Sequence, residues 1–405
     1  MTYKLPEGWR EVKLGEVVEY ETGKLNSNAS VENGKYPFFT CAPEPLRIND
    51  YKYDKEAILL AGNNAGGIFH VNRYCGKFNA YQRTYIMETK NKDVLCNDFL
   101  YYLLNINLNH FKNISSGSAT KFLTRKILDK INLRLPPLQE QKAISSTLSA
   151  LDDKIELNSK INKNLEDQAQ TIFKHWFIDF EFPDENGNPY KSSGGEMVES
   201  ELGVIPKGWE VVKLNSLIDR IDNRGKTPPY AKEKTKFPLL DVATLRGDNR
   251  IIDYNKVTKY VSEKTYNTWF RSGHPKSKDI LISTVGSLAE LKLFIGNIGC
   301  IAQNVVALRS KGISECYLYE YLKFIKKDLA SYDIGSVQPS IKITHIINHP
   351  ILVPEEKCIQ RYHDICKKMT NRIYLNSLEN QTLSQLRDTL LPKLMSGEIR
   401  IPLDE

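Results

Sequence analysis

Long hydrophobic runs are absent from this 405-residue sequence, and its first residues include no apolar signal segment. A membrane-spanning helix needs about 20 consecutive, mostly apolar residues, and a secretory signal needs an apolar core behind a basic start. The seven cysteines are odd in number and scattered, without a Cys-x-x-Cys pair, which is typical of reduced, packed thiols. The sequence therefore predicts a soluble cytoplasmic protein, long enough for two or more globular domains.

Complete catalytic motifs are also missing. Gly225-Lys226-Thr227 resembles the end of a phosphate-binding loop, but Arg220 stands where that loop requires its first glycine. Thr227-Pro228-Pro229-Tyr230 resembles the active-site string of amino-methyltransferases, yet threonine lacks the amide or carboxylate that holds the target amino group. His345 and His349 have the spacing of metal ligands on a helix, but no third ligand is evident. We therefore expect no catalytic residue, no metal site and no cofactor in this chain.

Positive charge is concentrated in two separate segments. Residues 1–138 carry 19 Lys and Arg against 14 Asp and Glu, and residues 206–353 carry 23 against 14. Residues 139–205, between them, are acidic, with 6 basic residues against 13 acidic ones. Two basic bodies in one chain indicate two contacts with a polyanion.

The chain contains one module twice. An offset of 200 relates the openings of the two halves, and an offset of 218 relates their later landmarks, so the second half has gained about 18 residues in its middle. The matched pairs are Pro6–Leu14 with Pro206–Leu214, Gly117-Ser118 with Gly335-Ser336, and Leu157-Asn158-Ser159 with Leu375-Asn376-Ser377.

Each half indicates a mixed α/β domain followed by a long helix. Leu135-Pro136-Pro137 and Val353-Pro354 interrupt the strand pattern, and proline suits the first turn of a helix. The predicted segments are a first domain at 1–138, a long helix at 139–182, a linker at 183–205, a second domain at 206–353, a second long helix at 354–396 and a tail at 397–405.

Apolar residues repeat in heptads along both long helices, which predicts a coiled coil. Two asparagines interrupt each seam, at Asn158 and Asn162 in the first helix and at Asn376 and Asn380 in the second. Antiparallel helices whose paired numbers sum to 538 would match all four asparagines, and only Leu151 would meet an unsuitable partner, Arg387. Parallel helices would also match asparagines, but each is about 60 Å long. The linker, at most about 80 Å when extended, would then run almost taut, so we favour the antiparallel pair. The matched asparagines favour this pair over two amphipathic helices in one compact core.

Three strings resemble the specificity (S) subunit of type I restriction-modification systems: Leu135–Ile144, Phe173–Phe180 and Leu390–Arg400. The resemblance covers the whole chain. It implies two target recognition domains that each read half of a split site in double-stranded DNA. The helices would space these domains and dock two methyltransferase subunits, which nuclease and translocase subunits join. S-adenosylmethionine, ATP and Mg are then expected on those partner subunits and not on this chain.

A DNA reader needs cations for phosphates, and amide or guanidinium forks for base edges. Individually, such side chains are better explained as solvated charges or turn caps, whereas their collection on two basic domains favours DNA contact. The candidates in the first half are Asn63, Asn64, Gln82, Lys112, Ser116, Ser118, Thr120, Lys121 and Arg125. Those in the second half are Arg224, Lys226, Arg246, Gln303, Ser336, Gln338, Ser340 and Lys342.

Two alternatives stay open at this point. The chain could be a nuclease or methyltransferase in its own right, or a coiled-coil scaffold that never touches DNA. Turnover by the purified chain would identify the first, and the absence of salt-dependent DNA binding would identify the second.

Overall fold

The computed structural model describes residues 5–296, 298–335 and 337–402, which form two compact units. The first unit contains the described residues up to Glu156 together with those from Gln381 onward. The second unit runs from Leu157 to Asn380. The units do not follow the predicted domain limits, because each includes part of both long helices.

A six-stranded sheet organises the first unit, with the strand order β2-β8-β5-β7-β3-β4. Strands β1 and β10 form a separate antiparallel pair, as do β6 and β9. The strands are β1 (Arg10–Lys13), β2 (Val18–Thr22), β3 (Tyr36–Phe39), β4 (Leu46–Ile48), β5 (Tyr53–Ala61), β6 (Asn63–Ala65), β7 (Val71–Ala80), β8 (Thr84–Thr89), β9 (Thr120–Phe122) and β10 (Asn132–Leu135). The shorter helices are α1 (Leu14–Val17), α2 (Asn97–Ile106), α3 (Leu108–Ile114) and α4 (Arg125–Leu128), with a 3-10 turn at Ser27–Ala29.

Strand β5 is buried on both faces, which explains its unbroken apolar run. Side chains alternate between the two faces of a strand. Ile58 and Leu60 therefore enter one core, together with residues of α2, whereas Ala57 and Leu59 enter a second, smaller core. A strand with two apolar faces has to lie inside the sheet, and β5 lies between β7 and β8.

The second unit repeats this arrangement around a four-stranded sheet, with the order β14-β19-β16-β17. In its central strand β16 (Ile280–Ser283), Ile280 and Ile282 enter one core and Leu281 enters another. The remaining strands are β11 (Met197–Ser200), β12 (Gly203–Pro206), β13 (Glu210–Lys213), β14 (Ile218–Ile221), β15 (Leu239–Leu240), β17 (Leu291–Leu293), β18 (Cys300–Ile301), β19 (Val305–Ser310) and β20 (Pro350–Val353). The shorter helices are α6 (Val242–Leu245), α7 (Glu263–Thr268), α8 (Glu315–Phe324), α9 (Lys326–Ser331) and α10 (Ile343–Ile347), with 3-10 turns at Leu214–Leu217 and Tyr254–Lys256.

The strand pairing confirms the internal repeat. In the first unit β1 pairs with β10, so that Arg10 lies opposite Leu135. In the second unit β13 pairs with β20, so that Glu210 lies opposite Val353. One partner is displaced by the first offset and the other by the second, which means that both offsets describe the same substructure.

The two long helices cover Leu138–Phe177 and Glu356–Ser396 and are the first long helix and the second long helix below. The first was predicted to reach residue 182 but ends five residues earlier. Phe180 adopts a left-handed conformation with φ of +64°, which a continuing α-helix cannot accommodate. Beyond it, the Phe182 ring stacks on Trp209 with a centroid separation of 5.0 Å. Aromatic packing therefore takes over where the helix was expected to continue.

Within the second unit the long helices pair in the predicted antiparallel register. Asn158 Nδ2 donates to Asn380 Oδ1 at 2.9 Å, and Asn376 Nδ2 donates to Asn162 Oδ1 at 2.8 Å. Asn158 and Asn376 are fully buried or nearly so. A buried amide without a partner costs about 1–3 kcal/mol, so reciprocal amide bonds disfavour a slipped register.

Within the first unit the helices are antiparallel as well. Leu148 and Leu390, a predicted pair, belong to the same core. The unsuitable partner of Leu151 is also accounted for, because Arg387 turns to the neighbouring Asp152 and places Nη1 2.8 Å from Oδ1. An ion pair at the edge of the seam therefore compensates the charge of this arginine.

The predicted tail at 397–405 is packed against the start of the chain as far as the structure describes it. Arg400 makes two hydrogen bonds of 3.0 and 2.7 Å to the carboxylate of Glu140, which is buried and also accepts from Trp9 Nε1. Gly397 has φ of +75°, and a Cβ there would lie 2.5 Å from Pro6. Glycine is therefore required at this approach.

A buried ion cluster connects the second domain to both long helices inside the second unit. Arg250 is completely buried and lies between β15 and β16 of the second half. Its guanidinium forms a bidentate pair with Glu166 of the first long helix, at 3.0 Å for both bonds, and a 2.7 Å bond to Glu320 of α8. It also donates to Thr370 and Cys366 of the second long helix. A single side chain thus joins three helices.

None of the helices in the described part of the chain is long and apolar enough to span a membrane.

Candidate nucleic-acid interface

The antiparallel strand pair β6–β9 brings together four candidates of the first domain. Asn64 lies opposite Lys121, and Asn63 lies opposite Phe122. A Cβ at Gly67 would lie 3.0 Å from Lys112 Cγ and 3.1 Å from Lys121 Cγ, so the stems of both lysines meet at this glycine. The structure therefore places two cations and two amides, which are far apart in sequence, on one surface element.

The loop before β9 is held closed by its own backbone. Ser116 and Phe122 exchange hydrogen bonds of 3.1 and 2.8 Å. Gly117 has φ of +100°, and a Cβ there would lie 2.1 Å from the carbonyl oxygen of Thr120. The turn therefore needs glycine, and it presents Ser116 and Ser118 to solvent.

Asn63 and Asn64 of this strand pair already form hydrogen bonds within the protein. Asn63 Oδ1 accepts a 2.9 Å bond from the Cys41 thiol, and Asn64 Nδ2 donates to the Cys41 carbonyl at 3.2 Å. A fork on adenine uses both the oxygen and the nitrogen of one amide. In this conformation each asparagine has one polar atom left for an outside partner among the described contacts.

A cleft of about 420 Å³ opens beside the β6–β9 strand pair. Its lining includes the predicted Gln82, Ser116 and Arg125, and also Arg83, which the sequence reasoning missed. Arg125 lies over the Tyr20 ring at 5.2 Å, and Arg83 lies over the Phe122 ring at 5.6 Å. The remaining lining residues are Thr22, Gly62, Tyr85, Phe122, Leu123 and Thr124.

In the second domain the candidates gather around the turn Thr284–Ser287. Arg224 Nη1 lies 3.5 Å from Thr284 Oγ1, and Arg246 Nε donates to Ser287 Oγ at 3.1 Å. Arg224 also holds Asp222 through two bonds of 2.9 and 2.7 Å. Burial alone would raise the pKa of Asp222, but the bonds from Arg224 and its charge lower it. The Arg224 charge is thus largely compensated, whereas Arg246 is exposed to solvent.

A second loop of the same domain reaches this turn. Ser340 forms a β-bridge with Val285, and a Cβ at Gly286 would lie 3.4 Å from Gln338 Nε2. A Cβ at Gly335 would lie 1.9 Å from the Gln338 carbonyl oxygen, so this position also requires glycine.

The two loops are copies of one design. The amide of Ser116 donates to Phe122 O at 3.1 Å, and the amide of Ile334 donates to Ser340 O at 2.9 Å, with both residues shifted by the later offset of the repeat. Gly117 and Gly335 are equivalent in the same way. The two loops therefore share this hydrogen bond and a crowded glycine at the equivalent position, and they carry different polar side chains.

The other candidates are more dispersed. Lys226 is exposed, as is Lys342, which precedes α10. Gln303 has a left-handed backbone with φ of +57°, and its Nε2 bonds to Thr227 Oγ1. Gln82 Nε2 donates to Asn26 Oδ1 at 2.8 Å. Ser336 lies outside the described residues.

One group of three possible metal ligands occurs in the second unit, although the sequence suggested none. Glu315, Cys316 and His363 place one ligand atom each within 4.8 Å of one another. The Glu315 carboxylate is 3.1 Å from Lys278 Nζ, and His363 Nδ1 is 2.9 Å from the hydroxyl of Ser314. Ser314 caps α8. These bonds give the group a role in anchoring the start of that helix.

Comparison with known proteins identifies the family. The family model described as "Type I restriction modification DNA specificity domain" matches residues 6–167 and 206–388. The specificity subunit of the type I restriction enzyme MjaIX from Methanocaldococcus jannaschii is 26% identical over 428 aligned positions, covering 98% of this chain and 95% of that subunit. The EcoDI specificity subunit of Escherichia coli is 34% identical over 237 positions, which cover 56% of this chain and only 52% of that subunit. This chain therefore aligns with about half of the length of the E. coli relative.

A solved structure shares the fold. The S subunit of a type I restriction-modification system from M. genitalium superposes with a TM-score of 0.59 at 18% identity, covering 97% of this chain and 98% of that one. The family match falls on both halves of the repeat, and each half contains one copy of the loop design. The chain belongs to the type I restriction-modification DNA specificity family.

Proposed function

We propose that this chain is the DNA-recognition subunit of a type I restriction-modification enzyme, and that each half reads one part of a bipartite DNA site. The observation that carries this proposal is the duplicated loop, in which one backbone design presents different polar side chains. The shared hydrogen bond and glycine let both loops approach DNA in a similar manner, and unequal side chains select different bases. Both domains carry excess positive charge, which favours phosphate contact.

The paired long helices act as the spacer between the two reading domains. Helices of 40 and 41 residues are about 60 Å long. Less the bulk of the domains, this length suits half-sites separated by roughly one turn of DNA, about 34 Å, or slightly more. A fixed spacing lets the second domain bind at a high effective concentration once the first has bound.

The spacer role is tested by lengthening both helices together. One heptad is inserted between Glu156 and Leu157, and another between Gln381 and Thr382, which are opposed in the observed register. Seven residues add about 10 Å, or about three base pairs at 3.4 Å each. Mapping of methylated adenines in cells that express the complete complex should then show a non-specific spacer about three base pairs longer. An unchanged spacer would contradict the proposal.

The partners are two methyltransferase subunits, which nuclease and translocase subunits join, and these partners bring S-adenosylmethionine, ATP and Mg. The duplicated chain offers a repeated surface for two copies of one partner. Leu157 and Leu375 are equivalent in the repeat, and 52% and 56% of their surfaces are exposed. The proposal assigns these two equivalent, exposed leucines to the contact with the methyltransferase subunits.

The docking surface is tested by Leu157→Glu combined with Leu375→Glu, with Leu46→Glu as the matched control. Leu46 is 40% exposed but lies on β4 of the first domain. The double variant should bind fewer methyltransferase subunits per chain when the mass of the complex is measured by light scattering. Full loading of the double variant would exclude these leucines from the contact.

The chain itself is proposed to be non-catalytic and to act in the cytoplasm. The purified chain, incubated with duplex DNA, S-adenosylmethionine and Mg, should neither methylate nor cleave. The complex with its partners should bind duplex DNA with an affinity that falls steeply with salt, because binding releases counterions from phosphates. Turnover by the isolated chain would make it an enzyme, and salt-independent or absent binding by the complex would make it a scaffold.

A further inference from the structure

A Gln-Arg turn lies at the mouth of the cleft in the first domain. The amide of Thr84 donates to Tyr81 O at 2.8 Å, which closes the turn over Gln82 and Arg83. The carbonyl of Arg83 accepts a 2.8 Å bond from Gly62. The backbone is thus fixed between β8 and the β6–β9 strand pair, and both side chains are exposed.

Among the described residues, no carboxylate pairs with the guanidinium of Arg83, unlike those of two other arginines of this domain. Arg73 pairs with Asp98, and Arg134 pairs with Glu11. Arg83 lies instead over the face of Phe122, 5.6 Å from the ring centroid, which restrains its plane without compensating its charge. Its side chain is exposed and lines the cleft, so its N–H donors are accessible to acceptors of a bound partner.

An equivalent turn occurs in the second domain, although Gln303 has a left-handed backbone and Gln82 does not. Gln303-Asn304 precedes β19 as Gln82-Arg83 precedes β8. The carbonyl of Asn304 accepts a 2.8 Å bond from Thr284, just as the carbonyl of Arg83 accepts from Gly62. The first position of the turn is therefore glutamine in both copies, whereas the second is arginine in one and asparagine in the other.

We infer that this turn is a base-reading element in both domains, and that Arg83 selects a guanine in the half-site of the first domain. A guanidinium fork matches the O6 and N7 acceptors of guanine in the major groove, and an asparagine fork matches N6 and N7 of adenine. The second position of the turn would then make the two half-sites differ, with adenine favoured where Asn304 reads. This inference rests on the proposed function and names the residue that sets part of its specificity.

The test exchanges the two side chains in the complete complex with its methyltransferase subunits. Arg83→Asn should abolish the guanine preference at one position of the first half-site and leave the second half-site unchanged. A good bidentate contact discriminates by roughly 5- to 140-fold, from 1–3 kcal/mol at 1.4 kcal/mol per tenfold. Asn304→Arg should introduce a guanine preference into the second half-site. The methylated sequences are mapped in the genome of the expressing cell.

Two further variants separate the fork from the charge. Arg83→Lys keeps the positive charge but loses the planar fork, so we expect weakened guanine selection with nearly unchanged salt dependence. Arg10→Asn is the matched control, because Arg10 is an exposed arginine of the same domain on β1, outside the cleft. It should leave the recognised sequence unchanged.

The outcomes distinguish this inference from the proposed function. If Arg83→Asn weakened binding to all sequences equally and lowered the salt slope by about one, Arg83 would be a phosphate contact and the inference would be wrong. An unchanged first half-site at full affinity would equally overturn it. If the unaltered complex showed no bipartite methylation pattern, the proposed function itself would fail. Thermal melting of each variant shows that the fold is retained.

Discussion

Replacement of Arg250 by methionine tests how strongly the second domain is fixed to the long helices. The change removes five side-chain hydrogen bonds and leaves Glu166 and Glu320 buried without their shared cation. Removing one partner of a buried ion pair costs about 3–5 kcal/mol. For a unit of this size, 1 kcal/mol corresponds to about 2–4 °C. We therefore expect the melting temperature of the second unit to fall by about 6–20 °C.

The pKa of Glu320 places the expected loss toward the lower end of this range. Burial raises the pKa of Glu320 to about 7, so this carboxyl can take up a proton once Arg250 is gone. Glu166 keeps a neighbouring cation, because Lys323 Nζ lies 3.3 Å from its Oε2. Adding Glu166→Gln and Glu320→Gln to Arg250→Met should restore more than half of the loss, because no buried carboxylate is then left without the guanidinium.

The assay is thermal unfolding followed by near-ultraviolet circular dichroism, with Lys163→Met as the control. Lys163 pairs with Asp167 across one turn, but both side chains are more than half exposed. Exposed pairs contribute at most about 1 kcal/mol, so this variant should melt within about 4 °C of the wild type. If Arg250→Met melted as the wild type does, the cluster would not contribute to stability and the reasoning from burial would be refuted.

Three further predictions follow from the seam, the ion cluster and the loops. Asn376→Leu leaves Asn162 without its 2.8 Å partner and should lower the free energy of unfolding in urea by about 1–3 kcal/mol. Asn162→Leu combined with Asn376→Leu should recover that loss. A double variant as unstable as the single one would contradict amide pairing as the cause. Burial raises the folded pKa of Glu320 to about 7 from an ordinary value of 4.5, so the folded state binds this proton more tightly and stability falls as pH rises from 4.5 to 7. Glu320→Gln should reduce this dependence of stability on pH in melts between pH 5 and 7. An unaltered pH dependence would assign it to other groups. In Gly117→Ala, the new Cβ would clash with the Thr120 carbonyl on a left-handed backbone, so the variant should cost at least about 1 kcal/mol locally and impair only the first half-site. Gly335→Ala should impair only the second half-site. A loss at both half-sites from either variant would show that the loops are not independent.

Features with a period or a repeat were accessible from the sequence. The heptads and the four asparagines predicted the seam and its register, because a polar residue in an apolar stripe needs a polar partner on the opposite helix. The two offsets predicted the equivalence of the β1–β10 and β13–β20 pairs, because duplicated strands keep their partners. These inferences needed no knowledge of side-chain geometry.

Features that depend on close packing were not accessible. Nothing near Arg250 in sequence indicates that it is buried, since its partners lie on three helices far along the chain. The helix predicted to reach residue 182 ends at Phe177, because stacking on Trp209 outweighs local helix propensity. Arg83 was missed although a signal existed, namely the equivalent glutamines that precede β8 and β19. The engagement of Asn63 and Asn64 with Cys41 depends on the packing of the segment after β3 against β6, which the sequence does not show.

The bond between Arg400 and Glu140 has a consequence for synthesis of the protein on the ribosome. These partners are 260 residues apart. At about 5–20 residues per second, roughly 13–50 s pass between the appearance of the carboxylate and that of its guanidinium. During this interval the nascent first domain lacks both the ion pair and the apolar cover from Leu390 and Leu394. A chaperone that holds the emerging chain should therefore increase its yield more than one added after release.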